Sequence, residues 1–324
     1  MRGKFTVRRF LILMALLLPA TVAAETYPNR PIRLIVTFAP GGGADFVGRT
    51  IAQPLSEALG QTVVVDNRAG ANGVVGADVA AKAAPDGYTL LLGAAGTLSV
   101  APHLGEPLPF DPIRDFAPVS LVATGSFVLT VNKSLPVNSV QELIAYAKAN
   151  PGKLNYGSSG KGGAPHLAGE LFASMAGIKM VHVPYRGLGP AVADLLSGQI
   201  QVLFADVPLV VEHAKSGNLK ALAITGTSRS SVMPDLPTVA EAGVPGYSAG
   251  TWYGVFLPAR TSPEIVARLS NALRQVLAAP SVKAVMAKQG AEAMWDTPQE
   301  FTAFTEGESA KWGKLIHDLG IKVE

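Results

Sequence analysis

Two glycine-rich stretches decide how this chain is read. They are Phe38-Ala39-Pro40-Gly41-Gly42-Gly43-Ala44-Asp45 and Asn155-Tyr156-Gly157-Ser158-Ser159-Gly160-Lys161-Gly162-Gly163-Ala164-Pro165-His166. Each follows a short apolar run and precedes a segment with helical periodicity. Glycines let the backbone turn tightly and present its amides, and the first turn of the next helix adds unpaired N–H groups and a partial positive charge. Each stretch therefore reads as an anion trap for a carboxylate, phosphate or sulfate. Two traps in separate halves predict a ligand gripped from both sides.

Working outward, apolar strand-like runs alternate with helical segments. Ile32–Phe38, Thr62–Asp66, Tyr88–Leu92, Phe127–Val131, Leu154–Gly157, Met180–Pro184, Ile200–Phe204 and Leu219–Thr225 read as strands. Val47, Ile51, Leu55 and Leu59 mark one helix by their i, i+4 spacing, and Gly60 ends it. Further helices begin near Ser139, Pro165, Pro190 and Pro208. Ser139 to Glu142 and Thr297 to Glu300 are capping boxes, Ser262-Pro263 sets a cap before proline, and Asn150-Pro151-Gly152 is a stop. From Ser262 to Leu319 the chain reads as mostly helical. Such alternation predicts two α/β domains built on largely parallel sheets, with ligands at the carboxyl ends of strands. Domain 1 is placed at 25–125, domain 2 at 126–248, and 249–324 returns to domain 1. Thr251–Leu257 is read as a crossing strand, which makes the connection a paired hinge. No internal repeat is detectable.

The first 24 residues read as a secretory signal peptide. Arg2, Lys4, Arg8 and Arg9 precede an apolar run from Phe10 to Val22, and Val22-Ala23-Ala24 supplies small residues for cleavage after Ala24. The run is shorter than the roughly 20 residues of a membrane span. With no cysteine in the chain, lipidation, disulfides, thiolate catalysis and Cys-based metal sites are excluded. The leader takes four of the 27 Lys and Arg, leaving 23 against 24 Asp and Glu over 300 residues. With a mature net charge of −1 and no basic block or basic–aromatic stripe, nothing in the chain implies nucleic acid or an anionic membrane as partner. Any anion affinity is therefore local.

In loop one, Pro40, Gly41, Gly42, Gly43 and Asp45 are candidate ligand contacts, since three consecutive glycines exceed what a turn needs. A side chain at Gly42 is expected to block the approach or demand a forbidden dihedral. Asp45 has two readings, a carboxylate favoured by the helix dipole, or a partner for a ligand ammonium or bridging water. In loop two, Ser158, Ser159, Gly162 and His166 are candidates. The stretch is neither a Walker A loop nor G-x-S-x-G. His166 and Glu170 could share a metal by spacing, but no third ligand stands nearby, and no metal or cofactor is expected. Tyr185, a further candidate ligand contact, and Arg186 follow a strand. Arg186 suits a carboxylate bidentately, or alternatively a carboxylate on the domain surface. Asp206 reads as an acidic cleft residue or as the cap of the helix near Pro208. Thr97 is a candidate rim donor.

Seven blocks together carry a family resemblance across nearly the whole mature chain. They are FAPGGGAD at 38–45, VDNRAGANG at 65–73, PDGYTLL at 85–91, FDPIRDFAPVSLVA at 110–123, NYGSSGKGGAPHLAGELF at 155–172, VPYRGLGPA at 183–191 and LPTVAEAGVPGY at 236–247. The chain resembles the Bug (TctC-type) receptors, the extracytoplasmic solute-binding proteins of tripartite tricarboxylate transporters. The resemblance implies a type II periplasmic-binding-protein (Venus flytrap) fold, with two α/β domains and a hinge. It also implies capture of small carboxylates between the domains, often through ordered waters, by loops at Pro40 to Asp45 and Ser158 to His166. Two departures touch the cleft. Thr97 is followed by Leu98-Ser99 where the family often shows T-H-A, and Phe204-Ala205-Asp206 replaces F-D-N.

The expected function is non-catalytic. A monomeric periplasmic receptor captures a mono- or dicarboxylate and passes it to a transporter or reports it to a sensor kinase. The alternative is a periplasmic serine hydrolase with His166 as base, which lacks a sequence-placed acid to orient that histidine. A phosphate or sulfate receptor ranks lower, because tetrahedral oxyanions need more donors than these loops show.

Overall fold

The computed structural model describes residues 27–185 and 187–321. The expected leader, its cleavage point after Ala24, and Arg186 lie outside the described residues.

The first half starts with strand β1 (Ile32–Val36), helix α1 (Gly43–Leu59) and β2 (Val63–Asn67), then α2 (Val74–Ala81) and β3 (Thr89–Ala94). β1 pairs in parallel with β2 and β3. The four spaced apolar residues of α1 are all buried, and Gly60 stops the helix in the left-handed conformation (φ 69°). After a π-helical turn over Gly96–Val100 the chain enters β4 (Phe116–Asn132), a strand of 17 residues.

The second half contains α3 (Val140–Ala149), β5 (Asn155–Ser158), α4 (Ala164–Ala176), β6 (Val181–Pro184), α5 (Leu188–Ser197), β7 (Val202–Asp206), α6 (Val207–Lys215) and β8 (Leu219–Ile224). β5 lies parallel to both β6 and β7. The chain returns through β9 (Gly250–Pro258), then α7 (Pro263–Ala278), α8 (Pro280–Lys288), β10 (Ala291–Ala293) and α9 (Pro298–Leu319). Among the described residues no helix is long and apolar enough to cross a membrane.

The strand order is β2-β1-β3-β9-β4-β7-β5-β6, with β8 and β10 also paired to β4. The sheets are mixed, not largely parallel as expected. Each half has a parallel trio, and every pair made by β4 or β9 is antiparallel. The physical reason is that β4 and β9 carry the chain out and back between the halves, and strands running in opposite senses pair antiparallel. β4 extends the expected strand Phe127–Val131 back to Phe116 and runs through Pro118, a residue that has no N–H to give to a ladder. Where β9 enters, Gly250 pairs with Ser126 and Thr251 with Gly125.

α9 serves both halves. Its start buries Phe301 against Trp252 and Phe256, while Trp312, Leu315 and Ile316 join the core that contains Phe127, Leu129 and Phe204. Thr297 accepts from the Glu300 amide and Glu300 accepts back, closing the expected capping box.

These packing roles separate two substitutions. Phe301→Ala empties a fully buried aromatic site and should cost about 3–5 kcal/mol. Thr297→Ala removes only the cap and should cost about 1 kcal/mol. Urea unfolding of both variants measures the contrast, and equal losses would contradict it.

Candidate functional site

Loop one is built around Asp45. Its carboxylate accepts from the Gly41 amide at 2.9 Å, Arg49 Nε at 3.0 Å and Asn67 Nδ2 at 2.9 Å. Asn67, at the end of β2, also donates to the Phe38 carbonyl. One buried carboxylate thus ties loop, helix and neighbouring strand. The Arg49 hydrogen bond is the main reason its carboxyl is held down at about 2. Gly41 needs glycine, since its φ is +86°. Gly42 does not, contrary to the expectation of a forbidden dihedral. Its φ is −87° and an added Cβ would meet only the Ala39 carbonyl at 3.7 Å. The crowded position is Gly43, where a Cβ would stand 2.7 Å from the Tyr253 hydroxyl.

Loop two has a histidine backing. Ser158 Oγ lies 2.6 Å from His182 Nε2 and also accepts from the Gly160 amide. His166 Nδ1 accepts from the Gly162 amide at 3.1 Å, which fixes its proton on Nε2. The two imidazoles pack 4.0 Å apart between centroids, and Tyr156 stacks beside them. Burial is the main cause that lowers both to about 4. His182 and then Lys161 lower His166 further, and Lys161 lowers His182. The pair is neutral at pH 7 and supports the loop by hydrogen bonds, not by charge.

The two loops meet at a cavity of about 370 Å³. Gly42 and Gly43 line it from one side, and Ser159, Gly163 and the α4 start line it from the other. Asp206 forms part of its wall and also of an adjoining space of about 740 Å³, where Gly41 and Asp45 appear. Asp206 occupies the N-cap position of α6, but its side chain makes no capping hydrogen bond. Solvent reaches the carboxylate directly, while protein surrounds it at longer range and pushes it up to about 6.

Other candidates are engaged elsewhere. Ser158 and His166 are buried behind loop two, and Gly162 (φ +72°) shapes the turn there. Thr97 is buried with its hydroxyl donating to the Asn72 carbonyl. Tyr185 donates to Asp194 at 2.7 Å. Pro40 is exposed and is absent from both linings. Among the described residues no group of three His, Cys, Asp or Glu could hold a metal ion, and Glu170 accepts from the Tyr156 hydroxyl instead. Among the described residues no serine–histidine pair opens onto the cavity, since Ser158 and its partner His182 sit beneath the loop.

Sequence reasoning missed Asn72, Phe127, Thr251 and Tyr253 in the lining. Strand alternation could have found two of them, because Thr251 and Tyr253 share one face of β9 while Trp252 turns into the core. Burial, and secondarily the Asp206 carboxylate, push the Tyr253 hydroxyl up to about 12, so it stays a neutral donor.

Comparison with known proteins points one way. The family described as tripartite tricarboxylate transporter family receptor matches residues 47–321. Protein BugT of Bordetella pertussis (strain Tohama I) is 41% identical over 306 residues, covering 94% of each chain. The solved structure of Rpa4515 from R. palustris with adipate is 38% identical at a TM-score of 0.78, covering 91% of this chain and 99% of that one. MatC from Rhodopseudomonas palustris with bound malate is 31% identical at 0.74, covering 90% and 100%.

The buried histidine pair sets an acid limit. Unfolded histidine takes a proton near 6.5 and the folded pair only near 4, so unfolding takes up protons between those values. The pair's stabilising neutrality is present above about 6.5 and lost as pH falls toward 4. Asp206, shifted upward, opposes this between 3.8 and about 6 as one group against two. Denaturant unfolding should show lower stability at pH 4.5 than at pH 7, and His182→Asn should shrink that difference by roughly half. An undiminished difference would clear the pair of the effect.

Proposed function

Because this chain belongs to the tripartite tricarboxylate transporter receptor family, we propose that it captures a small mono- or dicarboxylate in the cleft between its halves. The family is one of periplasmic solute-binding receptors, not enzymes, and the fold is the two-domain, type II Venus flytrap. One observation carries the reading: backbone and hydroxyl donors of two loops, each from a different half, line a single cavity. Its volume suits a small ligand. Relatives that hold adipate and malate support a carboxylate as the occupant.

In this reading the domains are 25–125 with 249–324, and 126–248. The leader directs export and is removed after Ala24, leaving a monomeric periplasmic protein. The loaded receptor then meets the membrane subunits of a tripartite transporter or a sensor kinase. Closure follows from affinity. An open cleft offers the ligand one loop and a closed cleft offers two, so ligand shifts the equilibrium toward closure.

Calorimetry against a panel of small acids tests the site. Ser159, exposed on loop two, should supply a hydrogen bond to a charged group, so Ser159→Ala should weaken binding by about 1.5–3 kcal/mol with little change in stability. Gly43→Ala should also weaken it by displacing the Tyr253 hydroxyl, whereas Gly42→Ala should be tolerated. Unchanged affinity in both Ser159→Ala and Gly43→Ala would move the ligand out of this cavity. For closure, small-angle scattering should give a smaller radius of gyration with a tight-binding acid. Superimposable curves would refute the flytrap motion while leaving the binding site standing.

A further inference from the structure

The 370 Å³ cavity has an unusual charge pattern for a trap that takes anions. Backbone amides and neutral hydroxyls approach from the two loops. Among the described residues lining it, none is Lys, Arg or His, and the single charged side chain is Asp206. That carboxylate is not committed to the fold. It makes no hydrogen bond to the α6 amides, and burial pushes its carboxyl up. Asp45 offers a contrast, with three donors around its oxygens.

Strand geometry aims Asp206 at the ligand space. It ends β7 opposite Phe127, next to Ala205, which is fully buried. Leu203 and Phe204 before it are fully buried as well, and Asp206, the last residue of the strand, is the first to emerge from the core and is exposed. It borders both the 370 Å³ cavity and the adjoining 740 Å³ space. A plain dicarboxylate filling the 370 Å³ cavity would bring a second negative charge toward the one unpaired carboxylate in its lining, which like-charge repulsion opposes. A cation placed there would meet a carboxylate with all its acceptor sites open.

We infer that Asp206 is a specificity residue that selects a carboxylate also bearing a cationic nitrogen, with the acid held by the two loops and the nitrogen held by Asp206. This rests on the carboxylate-receptor reading and narrows it. At neutral pH Asp206 is ionised and the cavity is bipolar, matching a zwitterion of amino-acid type. Tyr253, beside it, keeps a neutral hydroxyl that can accept from the same nitrogen.

The test is calorimetry at pH 7.5 on matched pairs of three- to eight-carbon acids that differ only in the amine. Glutarate with L-glutamate and butyrate with 4-aminobutyrate are two such pairs. At least one amine-bearing acid should bind tenfold or more tighter than its plain partner. In Asp206→Asn this preference should fall to threefold or less, while plain acids bind equally or more tightly. Thermal melting of the variant confirms that it folds, and Asp206→Ser gives a second neutral replacement. Plain acids that bind as tightly as their amine partners, or a preference that survives both replacements, would overturn the inference and leave the receptor reading intact. A panel on which no acid binds overturns the receptor reading, and the inference with it.

Discussion

Everything in the cleft depends on how closely two backbones approach where β4 and β9 run side by side. A Cβ on Gly250 would stand 2.3 Å from the Gly125 carbonyl, closer than any real side chain tolerates. Glycine there lets the strands cross from one half to the other as a paired ribbon. That ribbon fixes Thr251 and Tyr253 on the cavity wall and sets β3 on one side and β7 on the other. Both parallel trios then point strand ends, and the loops that follow them, at the same space.

The two loops that face the cavity carry little net charge of their own. The one acid in loop one is neutralised by Arg49 and consumed as a staple, and the histidines under loop two are uncharged at neutral pH. What remains for a ligand is a set of dipoles held at fixed positions. Asp45 and the histidine pair hold the loop backbones in place, so in the proposed site the amides would lose little freedom on binding. Asn67, bonded to both Asp45 and the Phe38 carbonyl, holds the shape of loop one without lining the cavity itself.

Much of the fold was legible because local chemistry dictates it. The spaced apolar residues of α1, the glycine stop at Gly60 and the Thr297 capping box each act within a few residues. β4 was only half legible, since nothing local says that one strand serves two sheets. The double role of α9 depends on a distant core around Trp312 and could not be read from its own period. Glycine loops announced where the cavity would be, and Gly42, Gly43, Ser159 and Asp206 do line it. They did not announce facing. Ser158 and Ser159 are neighbours with opposite fates, one sealed against His182 and one open to the cleft. His182 itself gave no sequence signal, since a lone histidine on a strand is silent until its partners are in place.

The out-and-back path also orders the events of folding. β5 finds β6 across a gap of about 26 residues, whereas β3 waits for β9 across about 165, so closing the longer gap costs roughly 1.6 kcal/mol more in chain entropy. The half between the crossing strands holds all of its own parallel trio, so those three strands can pair before the chain returns, although their core is completed only by Trp312 of α9. The other half cannot complete its sheet until the chain has come back. The second half thus lies between two stretches of the first, and β9 on its return both pairs with β3 and brings Thr251 and Tyr253 to the cavity wall.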